Sequence, residues 1–130
     1  MIGADTNILA RAFLEDDKIQ SKKAQQFLEN TAKANELFIS SYAILEFVWV
    51  LKVKKFSREI IYDAVMTLCD SPGVLIGSQP IVLSALEKYR KGKADFGDYM
   101  ILAEGEYYKT HKTKTFDKVL LNEGACENIL

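Results

Sequence analysis

Apolar residues in this chain fall into a few short runs, separated by longer stretches in which they recur at helical spacing. Met1-Ile2-Gly3-Ala4, Leu37-Phe38-Ile39 and Val74-Leu75-Ile76 are too short for buried helices and suit strands. After the first run, Asp5-Thr6-Asn7 has the character of a helix start, with Ile8, Leu9 and Phe13 as its apolar face. From Ile19 to about Ala34, the residues Ala24, Phe27, Leu28 and Thr31 repeat at helical intervals. Tyr42 to Lys54, which Ser40 or Ser41 can cap, is the most apolar helix of the chain. Ser57 with Glu59 and Ile60 opens a further helix carrying Ile61, Ala64, Val65 and Leu68, and Pro72-Gly73 ends it. Pro80 in a first turn starts a helix running to about Lys91, and another begins near Phe96. Lys112 to Phe116 and Glu127 to Leu130 are assigned as edge strands, the first of them polar. Short apolar strands alternating with helices imply an α/β sandwich around a parallel sheet.

Composition narrows this in a few respects. A chain of 130 residues, 48% hydrophobic and without linker or repeat, suits one globular domain with a sizeable core. No apolar run approaches the roughly 20 residues needed to span a bilayer, and no signal-peptide pattern opens the chain. Cys69 and Cys126 have no metal-ligand spacing, so both are expected as reduced thiols in a cytoplasmic protein. A net charge of −1 argues against a domain that lives on charge attraction to nucleic acid alone. It leaves room for a nuclease, because a carboxylate metal site itself lowers the pI.

The acidic residues are the candidate chemistry. In parallel α/β sheets ligands bind beyond the carboxyl ends of the strands. Asp5 follows the first strand and Asp117 the polar one, while Asp98 lies in the first turn of a helix three residues after Asp95. Glu46 sits among Ile44, Leu45, Phe47, Val48 and Trp49, where burial would be costly without a cation or hydrogen-bonding partner. Mg²⁺ favours hard oxygen ligands and needs few direct carboxylates, and it can activate water and orient a phosphate. His111 is the single histidine, so a pair of imidazoles acting as acid and base is excluded. Each Asp also has a plainer use: Asp5, Asp95 and Asp117 suit helix N-caps, and Asp98 can complete a capping box with Asp95. For Glu46 the plainer use is a semi-exposed helix edge.

Four segments together resemble the PIN domains, specifically the VapC-type toxins of toxin–antitoxin pairs. They are Met1-Ile2-Gly3-Ala4-Asp5-Thr6-Asn7-Ile8-Leu9, Leu45-Glu46-Phe47-Val48-Trp49-Val50-Leu51, Ala94-Asp95-Phe96-Gly97-Asp98-Tyr99-Met100-Ile101-Leu102-Ala103, and Thr115-Phe116-Asp117-Lys118. The resemblance covers essentially the whole chain. It implies a three-layer α/β/α sandwich with a central, mainly parallel sheet of four to five short strands. It further implies an endoribonuclease in which Asp5 and Asp98 are the main Mg²⁺ or Mn²⁺ ligands. Glu46 and Asp117 complete the acidic set, Asp95 is a secondary candidate ligand, and Asn7 and Thr115 help hold the metal shell or the substrate phosphate. A cognate antitoxin and a homodimer are the implied partners. Two departures stand out: the segment from Tyr108 to Lys114 is more polar than the family's usual strand, and Gly105 and Glu106 replace small apolar residues.

Lysines gather at Lys52, Lys54 and Lys55, at Lys88, Arg90, Lys91 and Lys93, and at Lys109, Lys112, Lys114 and Lys118. Lys112 and Lys114 are candidates to grip RNA phosphates, and Tyr89, Tyr99, Tyr107 and Tyr108 are candidates to stack bases. Solvated helix ends and core packing are the competing uses. Two other classes remain in play. A non-catalytic RNA-binding or assembly subunit would lack acidic positions that are filled here. A phosphatase would want Asp-x-Asp after the first strand, where this chain has Asp5 and Asn7, and a receiver would want an Asp after Val74-Leu75-Ile76.

Overall fold

The computed structural model describes residues 1–129; Leu130, the last residue of the expected final strand, lies outside them. In order, the elements are β1 (Ile2–Gly3), α1 (Thr6–Leu14), α2 (Lys18–Lys33), β2 (Leu37–Ile39), α3 (Ser41–Val53), α4 (Arg58–Asp70), β3 (Val74–Ile76), α5 (Gln79–Lys91), α6 (Phe96–Tyr107), β4 (Thr113–Thr115), α7 (Lys118–Asn122) and β5 (Cys126–Asn128). The chain divides into two compact units, Met1–Gln79 and Pro80–Leu130. No helix among the described residues is long and apolar enough to cross a membrane.

The first unit is built on a parallel sheet of order β1-β2-β3, with Leu37 opposite both Ile2 and Val74. Its central strand buries Leu37 and Ile39 almost completely. Helix starts follow the capping chemistry of the sequence: Asp5, Asp17, Ser40 and Ser57 each accept a backbone N–H of the first turn. α3 buries Ala43, Ile44, Phe47, Val48 and Leu51 along one side. Phe13 of α1 meets the Phe47 ring edge-on at 5.9 Å and the Phe56 ring at 5.3 Å. α2 buries only Ser21, Ala24 and Thr31, small side chains that let it lie close against α1. Cys69 on α4 is buried and unpaired, and burial, with Asp70 adding to it, pushes its thiol up to about 11. It therefore stays protonated at neutral pH.

In the second unit α5 buries Val82, Ala85, Leu86 and Tyr89, and Tyr89 packs edge-on against Phe96 at the start of α6. β4 and β5 form a separate parallel pair with Lys114 opposite Glu127. This corrects one expectation. The α/β class and the parallel pairing hold, but the strands form a sheet of three and a sheet of two in place of one sheet of four to five. β4 (Thr-Lys-Thr) has no apolar side chain to bury, so it is held by a cross-strand ion pair, Lys114 Nζ to Glu127 Oε2 at 2.8 Å. Helix α7 carried no periodic apolar pattern long enough to be assigned from sequence.

The turn from α4 into β3 depends on Gly73. Its φ is +80°, and a Cβ there would stand 1.8 Å from the carbonyl oxygen of Ala32 on α2. Left-handed strain and collision with backbone act together at this position. Gly73→Ala is expected to lower stability by about 2 kcal/mol or more, read as a shift of the urea midpoint; an unchanged midpoint would contradict this close approach.

Candidate functional site

In the first unit, two of the four acidic candidates meet at the N-terminus of α1. Asp5 is the N-cap, its Oδ1 accepting the Ile8 N–H at 3.1 Å. Thr6 donates its hydroxyl to Glu46 Oε2 at 3.2 Å, which ties the carboxylate of α3 to the first residue of α1. Nothing in the sequence links positions forty apart in this way, and Thr6 was not among the expected site residues. Glu46 is exposed, so the expected cost of burying it does not arise. The reason is that α3 is apolar on nearly every side. Periodicity could not tell which face the core takes, and Glu46 falls on the solvent face between Tyr42 and Trp49. Asn7 is exposed in the first turn of α1.

The second unit holds the other two candidates. Asp95 and Asp98 close a capping box at the start of α6, with Asp98 Oδ2 accepting the Asp95 N–H at 3.3 Å. Asp117 caps α7, its Oδ1 accepting from Val119 N–H at 2.8 Å and Leu120 N–H at 3.2 Å. Thr115 Oγ1 accepts the Asp117 N–H at 3.0 Å, leaving the threonine hydroxyl proton able to donate elsewhere. Cys126 lies in the same neighbourhood. Burial raises its thiol above the ordinary value; Lys112 opposes that shift, while Asp117, Asp98 and Glu123 add to it.

Every candidate Asp thus has the plainer role its position allowed, as a helix cap or capping-box partner. That role uses one carboxylate oxygen. Asp5 Oδ2, Asp98 Oδ1 and Asp117 Oδ2 take no hydrogen bond among the described residues. Among those residues no three His, Cys, Asp or Glu side chains form a group that could hold a metal ion. The donor chemistry nevertheless fits a hard divalent cation. The candidates are oxygen donors with an open lone pair, and Mg²⁺ binds through one or two carboxylates while keeping several waters.

The basic and aromatic candidates divide differently. Lys112 donates to the Gly124 carbonyl at 3.0 Å, and Lys114 pairs with Glu127, so both ammonium groups serve the C-terminal segment of their own unit. Lys88 pairs with Glu106 at 2.8 Å. Tyr89 and Tyr99 are buried and unable to stack a base, whereas Tyr107 and Tyr108 are exposed. Their rings contact each other edge-on at 5.3 Å.

Residues 3–123 match the family model of the PIN domain, a stretch that begins in β1, ends just past α7 and includes all four acidic candidates. Comparison with curated proteins and with solved structures returns no match. With nearly the whole chain covered by one family model, the chain belongs to the PIN-domain family, whose members are generally metal-dependent nucleases.

Proposed function

We propose that this protein is an endoribonuclease that hydrolyses RNA phosphodiester bonds with Mg²⁺ or Mn²⁺, and that it is the VapC-like toxin of a toxin–antitoxin pair. The observation that carries the nuclease reading is the family match across residues 3–123, with Asp5, Glu46, Asp98 and Asp117 all inside it. Asp5 and Asp98 are the proposed main ligands, each with one carboxylate oxygen spent on a helix start and the other available. Glu46 and Asp117 supply further negative charge, directly or through water. Asn7 and Thr115 are proposed to contact the metal shell or the phosphate, and the Thr115 hydroxyl has a proton to donate. When bound, the cation supplies Lewis acidity at the phosphate and activates water as nucleophile. The chain's own part is to hold the carboxylates rigidly: capping bonds fix their rotamers before any ligand arrives, so little ordering is left for binding to cost.

The test is cleavage of a panel of structured RNAs with Mg²⁺, Mn²⁺ or EDTA, by wild type and by an Asp5→Asn, Asp98→Asn variant. Asparagine caps helices as well as aspartate does, so the variant is expected to keep its fold while losing about a hundredfold or more in cleavage. Metal-independent cleavage, or full activity in the folded variant, would remove the reading.

Lys112 and Lys114 remain proposed RNA contacts, but their intramolecular bonds require a control. Lys114→Glu is expected to weaken RNA binding at low salt and also to destabilise the β4–β5 pair. Adding Glu127→Lys restores the ion pair and is expected to restore the melting temperature without restoring RNA affinity. Recovery of both would mean that Lys114 acts only through strand pairing.

The proposed partners are a cognate antitoxin and a second copy of this chain. α3 supports the dimer, since its solvent side presents Tyr42, Trp49 and Val53 at 76%, 64% and 55% exposure. Large apolar side chains aligned on one helix face mark interaction surfaces. Trp49→Glu is expected to convert a dimer to a monomer in sedimentation equilibrium; a wild type that sediments as one chain would count against the dimer.

A further inference from the structure

Tyr99 is 2% exposed, yet its hydroxyl is fully used. It donates to Glu123 Oε1 at 2.6 Å and accepts the Ala94 N–H at 3.1 Å. Glu123 Oε2 in turn accepts the Lys93 N–H at 2.9 Å. Two successive backbone donors in the loop between α5 and α6 are therefore satisfied by side chains. One comes from α6 and the other from the residue that ends α7. Gly92 completes the arrangement. A Cβ there would stand 1.8 Å from Tyr99 Oη and 2.9 Å from Glu123 Oε1, and the buried ring has little freedom to retreat.

The residues at the ends of this network give it meaning. Tyr99 directly follows Asp98, and the Lys93–Ala94 backbone leads into Asp95, which shares the capping box with Asp98. Glu123 closes the short helix that Asp117 opens. A helix of 5 residues has little stability of its own, so its direction depends on how its ends are fastened. Both Glu123 oxygens take part in these bonds, which tether the end of α7 to the loop before α6.

We propose that Tyr99 and Glu123 are positioning residues that fix Asp98 and Asp117 relative to one another, with Gly92 providing the space in which they meet. The network has no direct part in binding. It sets where α6 and α7 begin, and so where the open carboxylate oxygens of Asp98 and Asp117 lie. Its bearing on a cation rests on the metal-site reading above; its bearing on the two helix starts does not.

The experiment uses the full chain as wild type, Tyr99→Phe and Gly92→Ala, with residue-resolved amide hydrogen exchange and Mn²⁺ titration followed by electron paramagnetic resonance. In Tyr99→Phe, exchange is expected to accelerate at Lys93 and Ala94 and equally at Val119 and Leu120, whose N–H groups bond to Asp117. Mn²⁺ affinity is expected to fall about tenfold, the usual scale for losing a group that orients a ligand. Gly92→Ala, which retains every polar side chain, is expected to give the same pattern. Acceleration confined to Lys93 and Ala94, or a uniform loss of protection across the chain, would overturn the proposal. So would unchanged Mn²⁺ affinity in Tyr99→Phe where Asp98→Asn lowers it. If Asp98→Asn leaves wild-type Mn²⁺ binding intact, the metal reading fails instead, and the exchange pattern alone decides the positioning role.

Discussion

A helix starts with backbone N–H groups that its own turns cannot satisfy, and much of this structure depends on how that requirement is met. Asp5, Asp17, Asp117, Ser40 and Ser57 each turn a side-chain oxygen back onto the first turn, and Asp98 reaches back to Asp95. The same geometry serves chemistry. A carboxylate held by one oxygen is oriented, and its other oxygen remains available to a cation or a water. Capping and ligation are therefore not competing accounts of Asp5, Asp98 and Asp117, because a carboxylate has enough lone pairs for both.

The apolar content of the chain is spent unevenly. In the first unit a short central strand, one side of α3 and Ile61 and Val65 of α4 are among the most deeply buried, while the other side of α3 leaves Tyr42, Trp49 and Val53 in solvent. Fold stability alone offers no reason to keep a tryptophan there. Glu46, lying on the same side and tied to Thr6, puts a carboxylate beside that apolar stripe. Any protein surface covering α3 would therefore change the solvation of one of the four acidic positions.

In the second unit polar pairing takes over work that apolar burial does elsewhere. β4 and β5 are short and hydrophilic, joined across the strands by Lys114 and Glu127, and α7 is a single short helix. Such elements hold their places through specific bonds. The Tyr99–Glu123 network is the most buried of these. Lysines that composition alone would assign to RNA are in part consumed by the same need.

What the sequence determined by itself was local. The first three strands and the starts of the helices other than α7 could be read from runs of apolar residues and from capping chemistry, since each depends on neighbours a few residues apart. Tertiary structure decided the rest. It chose the buried side of α3, split the strands into two sheets, put Tyr89 and Tyr99 in the interior, and gave Lys112 and Lys114 intramolecular partners. It also joined Thr6 to Glu46 and Tyr99 to Glu123. These outcomes depend on which distant surfaces meet and on which buried donors then need an acceptor. A one-dimensional pattern does not encode those quantities.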